Sequence, residues 1–356
     1  MKRNIAVVIL LGMILTAFSG CSLGWEGEYI SIEPYEDQND SVEMNVVEVS
    51  NTAQMYAALV HLVESGAQSG VLTVADYGGG SLHFYLDQAI SQAKAENPLC
   101  AYAVDEITYE IGTRGGVEAV ALRIRYRYEL SHILRIQRVD TMEGAMAAME
   151  KAFLECEDKA VVRIHAYEHE DVAARLRDFA LAHPDVIMEI PQIEAVTYPE
   201  DGTERIVEVR FTYKTERQEL LRMQQDVEPV FTAAELYVRN AAQVREKYAR
   251  MYAFLMERSE YEIKPSITPA YSLLNDGYGD HQAFARVFAA MCRRADLECY
   301  VVEGTRDGEP WTWNLVYFRG SYYHLDLLRC NEKGAFEPKN SWDMEGYSWN
   351  GEDYPD

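Results

Sequence analysis

Two stretches of the chain carry the same order of patterned segments, and a chain that repeats a unit is confined to folds that build that unit twice. The first runs from about 51 to 130 and the second from about 140 to 220. Each opens on helical apolar spacing: Met55, Ala58, Leu59, Leu62 and Val63 in one, Met142, Ala145, Met149 and Phe153 in the other. Each continues with a short apolar run, Val71–Val74 and Ala160–Ile164, and then a second helical segment ending near Pro98 or Pro184. Alternating runs follow on either side of glycine-containing turns, Gly115-Gly116 and Asp201-Gly202, a hairpin signal. At an offset of about 85 to 89 residues, Tyr109 falls against Tyr198 and Tyr126 against Phe211. The expectation is α+β: tandem α+β repeats over 51–135 and 136–225, a connecting helix over 226–258, and a further domain over 259–356. The connecting helix carries Leu236, Ala241, Val244, Tyr248, Met251 and Leu255 on one stripe.

The chain begins with Lys2 and Arg3, an apolar run from Ile5 to Leu15, and small residues before Cys21. A basic head, a short apolar stretch and small residues at a cut site mark an export signal. The run is shorter than the roughly 20 residues that span a bilayer. Thr16-Ala17-Phe18-Ser19-Gly20-Cys21 resembles the lipobox of bacterial lipoproteins, with Phe18 where an aliphatic residue is usual. That resemblance implies a signal peptide over 1–20, acylation of Cys21, and a protein lipid-anchored to the outer face of the cell membrane. Residues 21–50, rich in Glu and Asp with few large apolar residues before Val46, are expected to form an acidic tether.

The formal net charge is −25, and removing Lys2 and Arg3 takes it to −27. So acidic a chain repels nucleic acid, and no nucleic-acid partner is expected. Beyond Cys21 the cysteines are Cys100, Cys156, Cys292, Cys299 and Cys330, an odd number without regular spacing. They do not read as a disulfide framework or a zinc site, and a Cys299–Cys330 pair is left open. His165, His169 and His183 are scattered. No metal site and no cofactor are expected.

The densest motif lies near the C-terminus. It reads Gly277-Tyr-Gly279-Asp280-His281-Gln282-Ala283-Phe284-Ala285, then a helical run to Ala295-Asp296-Leu297, then a strand ending at Gly304. Trp311-Thr312-Trp313-Asn314 and Tyr322-Tyr323-His324-Leu325-Asp326 follow, with an aromatic tail from Ser341 to Pro355. This order resembles the transglutaminase-like domain of the papain-like thiol-enzyme superfamily over roughly 260–356. The resemblance implies a helix packed on an antiparallel sheet. It also implies a catalytic cysteine at the helix N-terminus, a histidine on the facing strand and an aspartate that orients the histidine.

Two of those three residues are replaced. His281 stands at the cysteine position and Trp311 at the histidine position, while Asp326 keeps the third. Ala283 and Asp296 replace two family glycines. Without a thiol there is no nucleophile, and an indole is no general base. The expectation is a catalytically inactive binding or scaffolding module, with Trp313 and Tyr323 as further cleft-lining residues for an envelope protein, peptide or glycan. A second reading keeps an enzyme of relic or altered hydrolase activity built on His281 and Asp326. A third gives the function to the repeats and makes the C-terminal domain a cap. Replacing the acylated residue, Cys21→Ala, is expected to abolish incorporation of a fatty-acid probe in growing cells; label equal to that of the natural protein would refute the lipobox reading.

Overall fold

The computed structural model describes residues 46–75 and 81–355. The signal peptide, Cys21 and all of the tether up to residue 45 lie outside the described residues. The last residues assigned to the tether are a strand, β1 (Val46–Val49), which opens the first unit ahead of its helix. After β1 come α1 (Thr52–Glu64), β2 (Ser69–Val74), α2 (Leu82–Glu96), α3 (Pro98–Ala103), β3 (Val104–Arg114) and β4 (Val117–Tyr126). The second unit runs β5 (Gln137–Thr141), α4 (Met142–Leu154), β6 (Lys159–Ala166), α5 (Val172–Ala182), β7 (Gln192–Tyr198) and β8 (Arg205–Thr212).

The sheets have the orders β1-β2-β4-β3 and β5-β6-β8-β7. In each the first pair is parallel and the others antiparallel. The first long helix is capped alike in both: Asn51 accepts from the Gln54 N–H and Thr141 from the Gly144 N–H. The ladders also correct the residue matching. Leu72 opposes Val120 as Val162 opposes Val207, so Phe211 corresponds to Ile124, not Tyr126. Ile111 opposes Val120 as Thr197 opposes Val207, which sets Tyr109 against Ala195, not Tyr198. The hairpin loops differ in length: Gly115 and Gly116, both at positive φ, turn the first, whereas residues 199–204 connect the second. A constant sequence offset therefore slips across the turn.

Charged residues join the two units. Arg163, buried on β6, holds Glu64 of α1 at 2.7 Å and Glu204 at 2.7 Å. Glu208, buried on β8, accepts from the Tyr102 hydroxyl at 3.1 Å and pairs with Arg210 at 2.5 Å.

The expected connecting helix is two helices, α6 (Arg217–Val238) and α7 (Val244–Met256), broken at 239–243. They share one core with the C-terminal domain: Val227, Phe231, Tyr248 and Met251 pack with Phe284, Phe288 and Met291. Leu236 and Val244, placed on the apolar stripe by spacing, are exposed: the buried face of α6 runs through Phe231, Ala234 and Val238, and Val244 is the first residue of α7. Short parallel strands β9 (Glu260–Tyr261) and β10 (Tyr278–Gly279) then lead into α8 (His281–Arg294). Asp280 caps α8 by accepting from the Ala283 N–H at 2.9 Å. Phe284, Val287, Phe288, Met291 and Cys292 follow helical spacing and are all buried.

Helix α8 lies on a sheet of order β13-β12-β11-β14, built from β11 (Cys299–Arg306), β12 (Glu309–Phe318), β13 (Ser321–Leu325) and β14 (Tyr347–Trp349). A short helix, α9 (Leu327–Lys333), follows β13. Asp307-Gly308 and Arg319-Gly320, all at positive φ, make the two hairpin turns. The other face of the sheet is closed by the tail, where Val302, Trp313, Leu315 and Met344 form a second small core. Gly304 permits this closure: a Cβ there would lie 2.2 Å from the Ser348 carbonyl oxygen and 2.8 Å from the Trp313 ring. Gly304→Ala is expected to displace β14 and to cost about 1–3 kcal/mol, read as a lowered midpoint in urea unfolding; an unchanged midpoint would show that the tail does not depend on this contact.

Candidate functional site

The site is assembled where α8 begins, β12 begins and β13 ends. His281 is the first residue of α8, fixed by the Asp280 cap. Its Nδ1 accepts the backbone N–H of Thr312 on β12 at 3.1 Å. A ring nitrogen that accepts carries no proton, so the neutral imidazole has its hydrogen on Nε2. Burial pushes the His281 pKa below its ordinary value against the raising effect of Asp280 and Asp326. The positive end of the α8 dipole acts in the same direction as burial.

Trp311, third residue of β12, stacks on His281 with ring centroids 4.4 Å apart and planes at 26°. Its indole N–H donates to Asp326 Oδ2 at 2.9 Å. The three positions expected to converge therefore do converge. Asp326 lies just past β13, where it caps α9 by accepting the Arg329 N–H at 3.0 Å. Its Oδ2 also accepts from the Tyr347 hydroxyl at 2.7 Å, and the Arg306 guanidinium lies 3.6 Å away. The half-buried Tyr347 hydroxyl, beside that carboxylate, has its pKa pushed up by desolvation first and by Asp326 second. Arg306 also sits over the Trp311 ring at 5.0 Å and reaches Glu332 at 3.0 Å.

Two expected cleft residues are elsewhere. Trp313 faces the opposite side of the sheet, 1% exposed, where its indole donates to His324 Nδ1 at 2.9 Å. Tyr323 stacks on Phe318 at 4.2 Å and opposes Val316, five residues along β12 from Trp311. Trp311, Tyr347 and Arg306 surround the carboxylate in their place. Tyr347 stood in the aromatic tail of the motif, but nothing in the sequence singled out Arg306.

The nearest alternative thiols are poorly suited to attack. Cys292 is fully buried on α8, and burial holds its thiol well above the usual range. Cys330 is on α9, and burial raises its pKa too. All five described cysteines are free. Among the described residues no three His, Cys, Asp or Glu side chains form a metal-binding group, and no helix is long and apolar enough to cross a membrane. A cavity of about 610 Å³ opens away from this cluster, between Leu181 and Ala182 of α5 and Arg286, Cys299 and Tyr300.

Residues 232–327 match the family model described as the transglutaminase-like superfamily. The C-terminal part of this chain is a transglutaminase-like domain. The match begins within α6, upstream of residue 259, in keeping with the core that α6 and α7 share with α8. Among solved structures, a TGase is similar at 12% identity over 48% of this chain and 50% of its own, with a TM-score of 0.26. A candidate cysteine protease from Cytophaga hutchinsonii is similar at 16% identity over 45% and 71%, with a TM-score of 0.26. A candidate protease from Parabacteroides distasonis is similar at 9% identity over 72% and 40%, with a TM-score of 0.24. The chain thus spans half the length of the first of these. No curated protein matches.

In this transglutaminase-like domain Asp326 is a hub of hydrogen bonds, and His281 and Trp311 form a ring stack. The small core beneath holds a buried histidine, whereas His281 is half-buried. His324 accepts from Trp313, its Nε2 lies 3.2 Å from Ser341 Oγ, and burial lowers its pKa to about 4. Its folded pKa lies below the unfolded value of about 6.5, so the unfolded state binds the proton first and stability falls as pH drops through that window. The loss is expected to reach about 1 kcal/mol per pH unit between pH 6 and 4. Denaturant unfolding at several pH values checks this, with His324→Gln expected to flatten the slope; an equal slope in both proteins would refute the assignment.

Proposed function

We propose that the protein is an exported lipoprotein, anchored through Cys21 to the outer face of the bacterial membrane, whose transglutaminase-like domain binds a cell-envelope partner and performs no acyl transfer. One observation carries the reading: each group at the three triad positions is engaged in a way that leaves no nucleophile and no base. The His281 Nδ1 lone pair is used by the Thr312 N–H, and the Trp311 indole N–H by Asp326. Acyl transfer requires a thiolate or alkoxide beside a group that takes its proton. A stacked imidazole and indole supply neither.

The 610 Å³ cavity has the size of a ligand site, and Tyr300, Tyr354, Arg286 and Glu303 on its walls combine aromatic and charged groups. That lining suits a peptide or glycan. The acidic chain, at −25, favours a neutral or basic partner over an anionic one.

The test is an assay of the full-length protein for ammonia release from a glutamine peptide and for amine incorporation into a glutamine-bearing protein. Both are expected to stay at the level of a heat-denatured control, and His281→Ala is expected to change nothing. Ammonia release that His281→Ala or Asp326→Asn abolishes would establish the hydrolase reading instead.

A further inference from the structure

The sequence left a Cys299–Cys330 pair open, and the fold brings a different pair together. Helix α8 ends in a Schellman-type closure. The Leu297 N–H returns to the Cys292 carbonyl at 2.9 Å, and Asp296 takes the left-handed conformation at φ +54 that this turn requires. The chain is thereby folded back over the last turn of α8, and β11 starts two residues later at Cys299. Strand alternation sets which way Cys299 points. Val302 packs in the small core beneath the sheet, so Cys299, three residues away, points to the α8 side. Cys299 accordingly packs against the same core that buries Cys292. Cys292 is buried in that core together with Tyr248, whose hydroxyl donates at 2.6 Å to the carbonyl of Glu298, the residue before Cys299, so both cysteines face the same ring. Only Cys299 is reachable from solvent, as it is half-buried and lines the 610 Å³ cavity.

We propose that Cys292 and Cys299 are a redox site that closes to an intramolecular disulfide, with Cys299 as the entry thiol. The oxidant is a disulfide, either a small-molecule disulfide or the oxidised dithiol of an oxidoreductase. The Cys299 thiolate attacks one of its sulfurs through the cavity. An S–S bond forms to Cys299, and the other oxidant sulfur leaves as a thiolate and takes up a proton. Cys292 then gives its proton to water and attacks Cys299 Sγ, expelling the second oxidant sulfur. Two protein thiols become one disulfide, and the oxidant gains two electrons and two protons. Burial of Cys292 keeps its thiolate scarce, so the second step is the slow one and accelerates with rising pH. The closed bond ties the C-terminal end of α8 to the start of β11. Such a bond is persistent only in an oxidising compartment, and its physiological relevance therefore rests on the proposed export. The chemistry itself does not.

The experiment uses the full chain, reduced, desalted and incubated with oxidised glutathione at pH 7 and pH 8.5. Trypsin cuts after Arg293 and Arg294, between the two cysteines, so a disulfide leaves two peptides that separate only on reduction. The expected product is that linked pair, formed faster at pH 8.5, with no lasting glutathione mass and with Cys330 still alkylated after unfolding. Cys292→Ser is expected to stop the reaction at a glutathione adduct on Cys299, and Cys299→Ser to prevent it. A stable glutathione adduct on Cys299 in the natural protein, a Cys299–Cys330 linkage, or no loss of thiol at either pH would each overturn the proposal. Acylation of Cys21 is read by a separate label, so failure of the export reading is distinguishable from failure of the disulfide.

Discussion

The carboxylate of Asp326 is the point on which the C-terminal domain converges. It is 7% exposed, and a charge so far from water is tolerated only when it is fully hydrogen-bonded. Its donors come from four places in the chain. They are the Trp311 indole on β12, the Tyr347 hydroxyl on β14, the Arg329 backbone of α9 and, as an ion pair, Arg306 at the end of β11. Removing any one leaves the others facing a charge that is less completely solvated by protein. Asp326 thus serves as a structural tie.

That tie needs a rigid frame, which α8 provides. Its buried positions pack against the sheet on one side and against α6 and α7 on the other. Arg294 at its end forks to Glu228 at 2.6 Å and Glu235 at 2.6 Å, both on α6. Arg293 reaches Asp185 at 2.6 Å, in the loop after α5. The second α+β unit and the C-terminal domain are therefore docked through the same helix that presents His281. The first unit joins the second through Arg163 and Glu208, buried ions that hold position as well as stability.

Local patterns were well legible. The helical spacing of α1, α4 and α8 and the glycine turns of the hairpins are short-range signals, and each appears where its residues placed it. Strand β1 was hidden because Val46–Val49 is short and follows an acidic run, so only its pairing with β2 reveals it. The break between α6 and α7 was hidden because apolar spacing continues across 239–243 by coincidence. Trp313 was misplaced for a different reason. Alternation divides a strand into two faces without saying which face meets the helix, and both faces of this sheet are covered.

The sequence by itself determined two things: the helix–strand–helix–hairpin order within 51–130 and within 140–220, and the three residues His281, Trp311 and Asp326 that the resemblance singles out. Both are properties of neighbours in the chain or of a spacing that one helix and two strands preserve. Tertiary structure alone decided what surrounds those residues. Tyr347 and Arg306 meet Asp326, and the Thr312 N–H occupies His281 Nδ1. Those contacts depend on how the sheet twists beneath α8 and where the tail crosses it. Such distances are set by packing of the whole domain, and no local pattern encodes them.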